Sequence, residues 1–280
     1  MTESLPSHGG PRLLTRADIP ALMRLKQAAS WNQTEEDWQR VIAVEPEGCF
    51  GIDCEGTLAA SATAVCYGTD LAWIGMVLTL PEFRGRGLAR ALMEHSIAFC
   101  GRRGVDWVKL DATDMGAPLY AKLGFEPECA VERRLRAQAP GVATSAIAAG
   151  PPDLALDRRA FGADRGSLLG HLACRGIATI PGAGFGMGRP GSTAAYFGPC
   201  VSNSTEAART MLEWFLAANP DQPAYWDVLP DNAAADRLAA ECGFETRRRL
   251  TRMGLRMKPG AAPLQTDSSL VFAIAGFEFG

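Results

Sequence analysis

The chain has 280 residues, more than one compact core usually takes, and with 47% hydrophobic and 21% charged residues it reads as a folded, two-domain chain rather than a disordered one. A net charge of −3 with no block of Lys or Arg excludes an electrostatic nucleic-acid surface. No apolar run reaches the roughly 18 residues a membrane span needs, and MTESLPSHGG lacks the parts of a secretory signal, so no membrane is expected and the chain is read as cytoplasmic.

Pro11–Arg16 reads as a short strand, and Ile19, Leu22, Met23 and Leu25 at helical spacing predict a helix from Ala17 to Ala29. Thr34, followed by Glu35, Glu36 and Asp37, is an N-cap with an acidic first turn that opens a helix through Val41. Gly48–Asp53 and Thr57–Tyr67 are strands about a Glu55-Gly56 turn, and the nearly all-apolar Leu71–Leu80 is a strand buried on both faces. After Pro81 a glycine-rich turn leads into a helix over Leu88–Cys100. A strand over Val105–Leu110, a helix over 116–123 and a strand to about Leu135 follow.

Residues 137–152 (AQAPGVATSAIAAGPP) lack periodicity and charge and are read as a linker between domains 1–136 and 153–280. Beyond it the pattern predicts helices over Gly166–Arg175, Thr205–Ala218 and Asn232–Cys242. Strands are expected over Gly176–Ile180, Ala194–Val201 and Ala224–Leu229, and near Arg247–Arg256 and Leu270–Phe277. Gly182–Gly191 (GAGFGMGRPG) reads either as a loop tip or, with Arg189, as an anion site. The eight cysteines are scattered with no C-x-x-C pair, as isolated thiols are, and His8, His95 and His171 are too dispersed to suggest a metal.

The two halves repeat. Thr113, Gly116, Leu119, Tyr120 and Gly124-Phe125 match Asn232, Ala235, Leu238, Ala239 and Gly243-Phe244 at equal spacing, and each stretch follows an apolar strand ending in Asp111 or Asp227. The second copy lacks the tyrosine. It also has Ser202–Ala208 where the first has Pro81–Ala89, with no matching glycine.

Between a buried strand and a helix, Arg84-Gly-Arg-Gly-Leu-Ala89 suits an anion. Amides at a helix N-terminus point at it, Gly85 and Gly87 allow close approach, and Arg84 and Arg86 add charged donors. This stretch resembles motif A of the GNAT N-acetyltransferases, [QR]-x-x-G-x-[GA], filled by Arg84, Gly87 and Ala89. Leu119-Tyr-Ala-Lys-Leu-Gly-Phe125 resembles motif B. The resemblance covers residues 11–136, and the whole chain is similar to bacterial two-domain proteins with a divergent GNAT-like second domain. Where many members have Asn this chain has Thr113, a shorter donor to the cofactor.

The resemblance implies an α/β (α+β) fold of two GNAT-like domains, each a mixed, mostly antiparallel sheet flanked by helices. It implies an N-acetyltransferase with acetyl-CoA as co-substrate, no metal, and a small-molecule or protein amine as acceptor, in a monomer or homodimer. Val77, Leu78 and Thr79 would pair with the pantetheine arm, and residues 84–89, including Leu88, would hold the pyrophosphate. Tyr120 would protonate the leaving thiolate. Asp111 is either the proton acceptor or a cap of the next turn. Trp31 and Asn32 are candidates for gripping the acceptor, with packing as the alternative for Trp31. The second domain would cover the acceptor pocket, mediate dimerisation or hold a second ligand. A non-catalytic acyl-CoA-binding regulator is the rival reading.

Overall fold

Thr34 shows how local sequence sets the first elements. Its hydroxyl accepts from the Asp37 amide, and Asp37 accepts from the Thr34 amide at 2.8 Å, a reciprocal cap that starts the second helix where the acidic run begins. In the computed structural model, which describes residues 9–137 and 147–280, the first half runs β1 (Arg12–Leu13), α1 (Ile19–Ala28), α2 (Glu35–Val44), β2 (Cys49–Cys54), β3 (Thr57–Tyr67) and β4 (Leu71–Thr79). It continues through α3 (Leu88–Arg102), β5 (Trp107–Ala112), α4 (Ala117–Lys122) and β6 (Glu126–Arg136). The second half runs α5 (Leu154–Phe161), α6 (Gly166–Ala173), β7 (Ile177–Ile180), β8 (Gly184–Arg189), β9 (Ala195–Ser202) and α7 (Thr205–Ala218). After these come β10 (Ala224–Val228), α8 (Ala233–Glu241), β11 (Glu245–Arg256) and β12 (Val271–Ala273). Residues 138–146 of the expected linker lie outside the described residues.

The sheet is mixed and mostly antiparallel, with helices on its faces, and it is continuous across both halves. Its order is β1-β2-β3-β4-β5-β11-β6-β10-β9-β8-β7, with β12 on β9, and only β4–β5 and β10–β9 pair in parallel. Each half lends its last long strand to the other: β11 lies between β5 and β6, and β6 between β11 and β10. Two ion pairs staple this exchange. Asp111 on β5 faces Arg252 on β11 and takes two hydrogen bonds from it, at 2.9 and 3.0 Å. Asp227 on β10 faces Arg133 on β6 and takes two, at 2.8 and 2.6 Å. The penultimate aspartates of the repeated strands are therefore matched by arginines from the opposite half, in the planar two-pronged geometry that suits guanidinium to carboxylate.

Two stretches without a predicted element are ordered. α5 is capped by Asp153, which accepts from the Leu156 amide at 2.9 Å, and it ends at Gly162 in the left-handed conformation (φ 90°). The Gly182–Gly191 segment is neither a loop tip nor an anion site, because residues 184–189 form β8 and are buried throughout. Its glycines answer to packing: a Cβ on Gly188 would stand 2.4 Å from Cδ2 of Phe215, a fully buried ring on α7. Gly188→Ala is expected to cost about 1–3 kcal/mol by overpacking, read as a lower melting midpoint. An unchanged midpoint would mean that α7 yields.

Candidate active site

β3 and β4 pair in register until Met76, a non-glycine residue at φ 49°, bulges out of β4, and the Ser61 hydroxyl donates to its carbonyl at 2.9 Å. On the other edge, β4 pairs with β5 only from Leu71–Trp107 to Trp73–Lys109 and then diverges. Leu78 and Thr79 therefore keep β3 on one side, Val77 stands in the bulge, and all three present an edge unpaired by β5 along a cavity of about 550 Å³. The buried Thr79 hydroxyl has no hydrogen-bond partner among the described residues.

That edge runs into the glycine-rich turn. Gly85 and Gly87 are both left-handed (φ 76° and 81°), and no described residue stands within 4 Å of a Cβ built on either, so backbone conformation rather than space demands glycine there. Gly87 is the N-cap of α3 and supplies no side-chain bond, which leaves the first-turn amides open to the cavity mouth. In the second half Ser204 takes this place, and its hydroxyl accepts from the Ala207 amide and closes the N-terminus of α7. Arg84, Gly85, Gly87, Leu88 and Ala89 line the cavity, and so does Arg90, which the motif did not single out. Arg86 does not. Its guanidinium donates to Glu55 at 2.9 Å and lies over Phe83, so the expectation that it binds an anion is corrected.

Tyr120 reaches the cavity from α4, and its ring lies back over the residue four positions earlier. A Cβ on Gly116 would fall 2.8 Å from Cε2 of that ring. The repeat thus pairs Gly116 with Tyr120 and Ala235 with Ala239, because the large ring needs the missing Cβ. The phenol makes no hydrogen bond with any described residue, and burial pushes its pKa to about 12. Thr113 lines the cavity and caps the turn before α4, its hydroxyl accepting from the Gly116 amide at 3.2 Å. Asp111 fits neither expected role. Both its oxygens are held by Arg252 and its side chain is fully buried, so it is a structural anion and not a free base. Burial raises its pKa, and Arg252 opposes the rise.

On the opposite side, Trp31 lines the cavity. Asn32 does not. Its carbamoyl oxygen accepts from the Thr193 amide, the Thr193 hydroxyl and the Ala194 amide, and its nitrogen donates to the Ala194 carbonyl at 2.9 Å. It clamps the two halves together instead of meeting a ligand. The neighbouring Gln33 faces the cavity in its place, beside Phe277 and Glu278 from the end of the second half. Residues 271–280 explain that reach. β12 pairs with β9, the Ile274 amide donates to the Asp227 carbonyl at 3.1 Å and Trp226 to the Phe272 carbonyl at 2.7 Å, so this segment fills the gap where β9 and β10 diverge. It then crosses to the first half, where Trp73 donates to the Phe277 carbonyl at 2.9 Å and Tyr67 to the Phe279 carbonyl at 2.8 Å. The slot that is open in the first half is filled by the chain itself in the second.

Among the described residues no group of three or more His, Cys, Asp or Glu side chains is placed to hold a metal, and no helix is long and apolar enough to cross a membrane. His95 packs edge-on against Phe50 at 4.6 Å, and His8 lies outside the described residues.

The Acetyltransferase (GNAT) family matches residues 18–125, and the Acetyltransferase (GNAT) domain matches residues 154–273. Among relatives, the uncharacterized N-acetyltransferase YitH of Bacillus subtilis is 26% identical over 246 residues, 81% of this chain and 84% of its own. A solved structure from Pyrococcus horikoshii aligns over 100% of this chain and 99% of its own, with a TM-score of 0.84 and 21% identity. A GCN5-related N-acetyltransferase from Sphaerobacter thermophilus aligns over 94% of this chain and 100% of its own, with a TM-score of 0.68 and 16% identity. At these identities the two structures establish the fold.

Proposed function

The chain belongs to the GNAT acetyltransferase family, with two GNAT units in tandem, and we propose that its first unit moves the acetyl group of acetyl-CoA to an amine by direct attack on the thioester. One observation carries this reading: the free edge of β4 leads along a single cavity from an uncapped helix N-terminus to an unbonded, buried phenol. The edge at Val77–Thr79 pairs with the pantetheine arm, and a main-chain amide near Leu78 receives the oxyanion. Arg84, Gly85, Gly87, Leu88 and Ala89 hold the pyrophosphate, and Thr113 donates to the cofactor. Tyr120 protonates the departing thiolate. The two carboxylates on the cavity wall, Asp111 and Glu278, each carry a guanidinium partner, so water takes the proton from the amine.

We assign residues 1–136 to the catalytic unit, 137–152 to the connection and 153–280 to the divergent unit, which binds no cofactor and walls the acceptor side. Titration with acetyl-CoA is expected to give one site per chain, and a panel of amines to give thiol release with at least one member. Binding without turnover across the panel would favour an acyl-CoA-binding regulator. Absence of binding would remove both readings.

A further inference from the structure

The acceptor side of the cavity holds two polar groups that the fold leaves unmatched. Gln33 is 7% exposed, and its Nε2 donates to Glu278 Oε2 at 3.2 Å. That bond sets the orientation of the amide, since turning it over would bring its carbonyl against a carboxylate. The Gln33 Oε1 is then a buried acceptor with no hydrogen-bond partner among the described residues, on a residue that lines the cavity. Buried acceptors are ordinarily satisfied, and because Gln33 lines the cavity an N–H of a bound ligand can supply the missing donor.

The second group is Arg248 on β11. It stands directly across the sheet from Arg133, and the residues that alternate with it along the same face are Leu250 and Arg252. Arg252 lies over the Trp73 ring at 4.5 Å, and Trp73 donates to the carbonyl of Phe277, so this is the sheet face that carries the 271–280 segment. Arg133 is neutralised by Asp227 and covers the Phe277 ring at 4.4 Å. Arg248 is half-buried and lines the cavity, yet it makes no ion pair or hydrogen bond with any described residue. Of the carboxylates whose charge reaches Arg248, Asp227 is held by Arg133, while the exposed Asp114 acts on it without a hydrogen bond or ion pair; on the cavity wall Asp111 is held by Arg252 and Glu278 by Arg189.

We propose that the acceptor is a small molecule bearing both an amine and an acid group, with its amine N–H on Gln33 Oε1 beside Glu278 and its acid group on Arg248. This rests on the acetyl-transfer reading and narrows it. An acceptor with a single amine satisfies Gln33 and leaves a half-buried guanidinium with no hydrogen-bonded anion among the described residues. One with an acid group answers both at once. The unmatched charge calls for either a carboxylate or a phosphate, both of which accept the forked guanidinium.

The test uses matched pairs: a series of α- and ω-amino acids each against its primary amide, and O-phosphoethanolamine against ethanolamine. Each is measured by thiol release with acetyl-CoA, and by the melting shift it causes in the protein saturated with CoA. The acid-bearing member of at least one pair is expected to win by about tenfold or more in kcat/KM and to give the larger shift. In Arg248→Gln that ratio is expected to fall to near one, and in Arg248→Lys to be partly kept, with acetyl-CoA affinity unchanged in both. Which pair responds says whether the acid is a carboxylate or a phosphate. Equal rates and equal shifts within every pair would overturn the proposal, as would a preference that survives Arg248→Gln. Weaker acetyl-CoA binding in Arg248→Gln, without any acceptor preference, would give the arginine to the cofactor and also overturn it. Absence of turnover on every amine would count against acetyl transfer, while the melting shifts would still decide whether an amine with an acid group binds.

Discussion

Tyr120→Phe is expected to lower kcat by about 100-fold or more, the range for removing a positioned proton donor, while acetyl-CoA binds as in the parent. The substitution is unusually clean. The Tyr120 ring fills the space that Gly116 leaves, and phenylalanine keeps it filled. The hydroxyl has no hydrogen-bond partner among the described residues, so its removal strands no buried group, and the melting midpoint should stay put. Steady-state rates and a direct acetyl-CoA titration separate the two effects, and parent-like turnover would remove Tyr120 from the chemistry. The pH profile adds a check. Burial moves the phenol to about 12, so it keeps its proton through the range near 10 where a free tyrosine ionises. Turnover should therefore show no alkaline loss centred near pH ~10 that disappears in Tyr120→Phe. Such a loss would place the phenol's pKa where solvent, not burial, sets it.

The largest stability effect should come from Arg252→Met. Removing one partner of a buried pair leaves the other as an uncompensated charge, at a cost of about 3–5 kcal/mol. Here that charge is Asp111, whose side chain is fully buried under Arg252. A fall of about 10 °C in the melting midpoint is the corresponding scale for a chain of this size. Asp111→Leu combined with Arg252→Met should recover most of the loss, because neither charge is then stranded. Because Asp111 and Arg252 lie on strands from different halves, the single variant should loosen both halves together. If the first half alone melts early, the sheet is not acting as one cooperative unit.

Much of the candidate site was legible because its signals are local. Gly85 and Gly87 had to be glycine for their own backbone angles, and Gly116, the N-cap of α4, had to be glycine for a ring four residues on. Tyr120, the apolar β4 and the capped start of α2 follow from spacing of the same short range. The failures are of longer range. Arg86 and Arg84 look alike in the turn, yet Glu55, far back in the chain, takes one and leaves the other to the cavity. Asn32 and Gln33 are neighbours of similar chemistry. The loop at residues 192–194 claims the first, while the second pairs with Glu278 and lines the cavity. β8 was missed because six residues with three glycines carry no strand propensity; Met211 and Phe215 on α7 crowd Gly186 and Gly188, and the Val201 carbonyl on β9 crowds Gly184.

Residues 84–89 and 113–125 were thus enough to identify the acetyltransferase unit and to show that its repeat had lost the turn and the tyrosine. Composition and periodicity within a few turns of chain carry that much, since helix starts, left-handed glycines and ring-over-glycine contacts are settled among near neighbours. Only the tertiary structure decided how the halves meet. The exchange of β6 and β11 gives Asp111 a partner 141 residues away and takes it out of the chemistry. The threading of residues 271–280 closes the second half's slot and sets Phe277 and Glu278 into the first half's cavity. Burial and charge pairing between segments far apart in sequence have no local signature, because each depends on which distant group arrives opposite.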